Sequence, residues 1–149
     1  MLALFFVHLV ETLAFITGLV YYKKNKTKPT LFLVWFLGIT VCSELFGWYA
    51  YFVENSFLSF LKGTPFESNY WWGNIYSVIS YLFYINYFKW YLSSKRSVTI
   101  LSRLSIFFLI FSILEIVFSG DFFLKFMSIT NILGTLFVFL SIAFYYLEL

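Results

Sequence analysis

Apolar residues in this chain come in five long blocks separated by short polar connections, without the alternation of a half-buried strand. The blocks cover residues 2–22, 30–53, 71–92, 104–118 and 122–149, each near the ~20 residues a helix needs to cross hydrocarbon. This pattern predicts an all-α fold: a polytopic transmembrane helix bundle of about five spans, forming one domain over residues 1–149. The connections are Lys23-Lys24-Asn25-Lys26-Thr27-Lys28-Pro29, a polar stretch at 54–70 holding Gly63 and Pro65, a segment at 93–103, and a tight Ser119-Gly120-Asp121 turn. The 54–70 stretch has room for a short surface helix laying Phe57, Leu58, Phe60 and Leu61 on the membrane, with Gly63 as its stop. An ordered loop folded over the bundle fits it equally well.

Composition sharpens the membrane reading. Hydrophobic residues make up 62% and charged ones 11% of the chain, against roughly 45–50% and 25% in soluble domains. A globule of this size has too little interior to hide that much apolar surface. The net charge of +3 does not point to nucleic acid, because the basic residues cluster between the apolar blocks instead of along one face. Cys42, the single cysteine, lies inside an apolar block and reads as a small hydrophobe, which leaves no intrachain disulfide and no cysteine metal site. The excess of lysine over arginine, with abundant Phe, Ile, Asn and Tyr, hints at an AT-rich bacterial genome.

Charge placement then gives an orientation. Lys23, Lys24, Lys26 and Lys28 mark the first connection, and Lys89, Lys95, Arg96 and Arg103 the third. The second and fourth hold only Lys62 and Lys125. The positive-inside rule therefore puts the N-terminus outside and the C-terminus in the cytoplasm. Tyr70, Trp71 and Trp72 at one end of the third block, and Trp90 and Tyr91 at the other, fit the aromatic belts of a bilayer, as do Tyr21 and Tyr22. No basic stretch precedes the first block and no small-residue cleavage site precedes its lysines, so it reads as a retained helix, not a signal peptide. The last block ends at Tyr145-Tyr146-Leu147-Glu148-Leu149 without a basic flank, which fits a natural end and a fragment of a longer protein alike.

Within the blocks, ionisable side chains are few: His8, Glu11, Glu44 and Glu115, with Glu148 near the inner boundary. Each costs roughly 2.5–3.5 kcal/mol at membrane depth and so should face a bundle interior or water. His8 and Glu11 are three residues apart on one helix face, continued by Ala14 and Gly18. Similar small-or-polar stripes run through Thr40, Ser43, Glu44, Gly47 and Tyr51, through Ser77, Ser80, Tyr81, Tyr84, Tyr87 and Tyr91, and through Ser105, Ser112, Glu115 and Ser119. In the fifth block Asn131, Gly134, Thr135 and Tyr145 align. At 1.5 Å rise per residue, Glu11 and Glu44 both lie about 13 Å below the outer boundary, with Asn131 at a similar level. These positions predict a polar core in the outer half of the bundle, built from His8, Glu11, Glu44, Asn74, Glu115 and Asn131. In one reading its protonated carboxyls bond to Ser, Thr, Asn and Tyr and pin the helices in register. In the other it binds a proton, a cation or a small polar ligand.

Enzyme signatures are weak, and the sequence predicts no enzyme, no catalytic residue, no metal site and no cofactor. A zinc hydrolase needs HExxH or several histidines, and His8 is the only one. No nucleophile elbow surrounds a serine and no Gly-rich phosphate loop occurs. Three stretches together resemble a family of small, uncharacterised multi-pass inner-membrane proteins of AT-rich Gram-negative bacteria. They are Glu11 with the Ile16-Thr17-Gly18-Leu19-Val20-Tyr21-Tyr22-Lys23-Lys24 run, Ser43-Glu44, and Asn69-Tyr70-Trp71-Trp72-Gly73-Asn74-Ile75-Tyr76. A carboxylate often seen one turn after the Asn-Ile-Tyr motif is missing here, and family members usually have about seven helices. The resemblance implies a bacterial inner-membrane address and no assigned activity. The partners expected are the lipid bilayer and a membrane protein or second copy of this chain, with no nucleic acid. The functional expectation is a non-enzymatic sensor-like or scaffold bundle, with a small transporter or proton-coupled carrier using Glu11 and Glu44 as the alternative.

Overall fold

In hydrocarbon the backbone has no water to bond, so an apolar block satisfies its N–H and C=O groups by coiling on itself. A computed structural model describes the backbone of residues 2–149 and the side chains of residues 6–54 and 56–149. The elements are α1 (Leu2–Lys24), α2 (Lys28–Gly47), α3 (Tyr49–Asn55), a 3-10 turn (Ser59–Leu61), α4 (Tyr70–Lys89), α5 (Lys95–Phe118) and α6 (Ser128–Leu147). The described residues contain no strand. Three helical stretches among them, Lys28–Glu54, Lys95–Phe118 and Ser128–Leu147, are long and apolar enough to cross a membrane.

Several boundaries depart from the apolar blocks, each for a local reason. Helix α5 starts at Lys95, well before residue 104, because Ser94 caps it by accepting the Ser97 amide at 3.4 Å. Lys95, Arg96 and Arg103 are accommodated on its exposed side. Helix α6 starts at Ser128 instead of 122, since the amides of Leu124 and Lys125 turn back onto the Asp121 carbonyl. The second block breaks at Trp48, whose amide closes on the Leu45 carbonyl at 3.3 Å. The 54–70 stretch forms an ordered loop with only the 3-10 turn in it. Gly63 has φ +76°, a left-handed turn that only glycine takes cheaply, and its amide donates to Glu67 Oε2 at 2.7 Å.

The chain divides into two compact units, Met1–Tyr49 and Ala50–Leu149. The first is the hairpin of α1 and α2. Thr27 caps α2 by accepting the Thr30 amide, and Pro29 in its first turn suits the start of a helix. A Cβ on Gly18 would stand 3.2 Å from Val34, and one on Gly38 would stand 3.1 Å from Phe15. These glycines let the two backbones approach closely.

In the second unit α4, α5 and α6 pack against one another around Val78, Phe108 and Met127. The buried positions of α5 are Ser97, Leu101, Ser105, Phe108 and Ser112, one stripe at helical spacing. Those of α6 are Thr130, Gly134 and Ser141. The opposite faces carry Ile106, Ile110, Ile113 and Val117, and Ile129, Ile132, Leu136 and Phe139, all exposed. Serines inside and large aliphatics outside invert the order of a water-soluble protein. Three of the buried serine hydroxyls donate one turn back: Ser105 to Leu101 O, Ser112 to Phe108 O and Ser141 to Phe137 O, at 2.8–2.9 Å. A bilayer-facing bundle needs both features: small residues for close approach and no unpaired donor.

Candidate functional site

His8, Glu11 and Glu44 belong to the first unit, and Asn74, Glu115 and Asn131 to the second. In the hairpin, the antiparallel pairing of α1 with α2 brings Trp48 opposite His8 and Glu44 opposite Glu11. The Trp48 indole N–H donates to His8 Nε2. Because indole nitrogen is a donor only, His8 Nε2 must be unprotonated, and the ring proton sits on Nδ1. That nitrogen lies 3.7 Å from Glu11 Oε2, as the three-residue spacing leads one to expect. Glu44 stands within electrostatic reach of the same carboxylate. Glu11 Oε2 is enclosed and accepts no hydrogen bond. The sequence marked three members of this cluster; Trp48 escaped it, although an indole one turn beyond Glu44 is a donor on the same face.

In the second unit the polar side chains serve the backbone. Asn74 is 1% exposed and makes three bonds to the segment before α6. Its Nδ2 donates to the Phe122 carbonyl at 2.9 Å and the Lys125 carbonyl at 3.0 Å, and its Oδ1 accepts the Met127 amide at 3.0 Å. Glu115, in the last turn of α5, accepts both the amide and the hydroxyl of Thr130 on Oε2, at 2.7 and 2.6 Å. Met127 at the N-cap of α6 has no side-chain acceptor to offer, so a carboxylate from the neighbouring helix replaces it. Asn131 sits one residue on, half-buried, and its carbonyl accepts the Thr135 hydroxyl at 2.8 Å.

Glu148, the residue closing α6, does the same at the other end. Its Oε2 accepts the amides of Ser93 and Ser94 at 2.7 and 3.0 Å, just ahead of α5. The Ser97 hydroxyl, with the Ser94 and Ser93 amides, holds its carboxyl below the usual glutamate value. The pair α5–α6 is thus latched reciprocally, each helix ending in a glutamate that caps the start of the other. Thr130 does not stand out in the sequence, and Glu148 stands out only as a charge near the inner boundary. The spacing Thr130–Gly134–Ser141 carries a signal for the first; a terminal glutamate beside a membrane boundary carries none.

Among the described residues no group of three or more His, Cys, Asp or Glu side chains comes together to hold a metal ion. The arrangement offers a hairpin cluster, His8–Glu11–Glu44–Trp48, with Glu11 Oε2 unpartnered, and a second set at helix ends in which Glu148 Oε1 is also unpartnered. Comparison with protein-family models, with curated proteins and with solved structures finds no match to this chain.

Proposed function

We propose that this chain crosses the bacterial inner membrane five times, N-terminus outside, as a non-enzymatic, sensor-like helix bundle. Helices α1 and α4 join the three spans already counted: they have 23 and 20 residues, enough for hydrocarbon. The eight-to-two division of basic residues between alternate connections supports the orientation. The likeness to small multi-pass inner-membrane proteins supports the address.

The observation that carries the sensor-like reading is the contrast between the two polar sets. Asn74 Oδ1, Glu115 Oε2 and Glu148 Oε2 each accept a backbone amide, which makes α4–α6 a scaffold. His8 is held by a bond that survives in only one protonation state. A proton on Nε2 expels the Trp48 N–H and turns the imidazolium toward Glu11 and Glu44. Hydrogen exchange of the reconstituted protein tests this. In Trp48→Phe, which removes the indole donor, the amides of α1 and the end of α2 should lose protection while those of α5 and α6 do not. The same loss should appear in His8→Ala; an unchanged hairpin in both variants would refute the reading.

A second reading, a proton-coupled carrier, is favoured by Glu11 Oε2, an enclosed carboxylate oxygen that has only His8 Nδ1 nearby, at 3.7 Å, and Glu44 within electrostatic reach. It requires pH-driven flux in proteoliposomes that Glu11→Gln or Glu44→Gln abolishes while folded yield is kept.

A further inference from the structure

Within the second unit, α3, the 54–70 loop and the turn before α6 enclose an open cleft of about 750 Å³. That volume falls in the ~300–1,000 Å³ range of small-molecule sites. Four aromatic rings, Tyr51, Tyr70, Phe123 and Phe126, and two carboxylates, Glu54 and Glu67, line it; among the described residues no Lys, Arg or His does. We infer that this cleft binds a small organic cation, an amine or quaternary ammonium, between its aromatic walls and its two carboxylates.

Three observations lead there. First, the charge is one-sided. Lys125 in the adjoining turn is already paired with Asp121 at 3.2 Å, so the cleft has no cation of its own from that side. Second, the walls are fixed before any ligand arrives. Tyr70 meets Phe126 edge to face at 5.1 Å, and Phe66 meets Phe123 likewise at 5.5 Å. The backbone behind Phe123 is tied by the Ser68 hydroxyl on its carbonyl at 3.3 Å and by Asn74 on both sides. Third, the donor set suits a soft, bulky cation better than a metal ion. Calcium takes about 6–8 oxygens, and although Thr64, Ser68 and Asn69 add neutral oxygens to the two carboxylates, no third acidic side chain joins them among the described residues. Aromatic faces attract ammonium groups through the ring quadrupole, by about 0.5–2 kcal/mol each.

That the ligand arrives from outside the cell rests on the topology proposed above; binding itself does not. The test is therefore made on the full chain purified in detergent, by calorimetric titration at constant ionic strength with choline and with ethanolamine. Their neutral isostere 3,3-dimethylbutan-1-ol and calcium chloride serve as competitors. Saturable binding of at least one ammonium is expected, with the isostere roughly tenfold weaker or worse. Glu54→Gln should weaken the ammonium several-fold without moving the melting temperature, since Glu54 is exposed on α3. Glu67→Gln, which keeps an acceptor for the Gly63 amide, is the second variant and should do the same. No saturable ammonium binding, equal binding of the isostere, calcium binding in its place, or unchanged affinity in both variants overturns the inference. Any of these leaves the topology standing, because orientation plays no part in the measurement.

Discussion

A glutamate in the last turn of a helix faces the negative end of that helix's own dipole, which is unfavourable. Glu115 and Glu148 hold such positions because each points at the positive end of the neighbouring helix. Replacing Glu115 by Ala strands the Thr130 amide and hydroxyl, at a cost of roughly 1–3 kcal/mol, while Glu115→Gln keeps one acceptor oxygen and loses less. Thermal unfolding in detergent ranks the two. For Glu148 the consequence is a pH profile. Its carboxyl is held below the ordinary value of 4.5, so its stabilisation is complete above that value and is lost as pH falls through the lowered one. The melting temperature of the parent protein should therefore acquire an acid-side drop that Glu148→Gln lacks; superimposable acid limbs would remove the latch. Sequence marked Glu115 because a charge in an apolar block is conspicuous. It did not mark the acceptor's partner, since a backbone amide leaves no trace in residue identity.

Helix content was legible because apolar blocks of span length leave the backbone little else to do. Helix ends were not. Ser94 capping α5 extends that helix over a charged stretch that reads as a loop, and Asn74 holds 122–127 out of a helix although Phe122, Phe123 and Leu124 look like its first turn. Asn74→Ala leaves two carbonyls and one amide without partners and should cost about 2 kcal/mol or more, with the loss of exchange protection centred on the start of α6. Packing between α4 and α6 turns on a single glycine. A Cβ on Gly134 would lie 2.4 Å from the Tyr81 ring, so Gly134→Ala should destabilise by about 1–3 kcal/mol. Tyr81→Ala relieves that overlap, and a double-mutant cycle in chemical denaturation should show strong non-additivity. The aromatic stripe seen in sequence is only partly inward: Tyr81 packs on α6 while Tyr84 is 42% exposed.

Over the described residues, large apolar side chains cover the surface to an extent that a soluble protein does not show. Only 17–22% of the most apolar stretch of each of the three candidate spans is buried, and in α5 and α6 the buried residues are mostly serine, threonine and glycine. Isoleucine, leucine and phenylalanine cover the outside, and a lipid exterior is the solvent that makes this arrangement favourable. The polar candidates were legible as residues that had to avoid lipid, but their uses were not. Three of the six lie in the hairpin and three in the helical scaffold, a division that depth alone cannot reveal. The most direct measurement is a set of truncation fusions to a cytoplasm-active and an export-active reporter at Thr27, Gly63, Ser97 and Asp121. Thr27 and Ser97 should light the cytoplasmic reporter, and Gly63 and Asp121 the exported one. Two neighbouring connections reporting from the same side of the membrane would contradict a five-span chain.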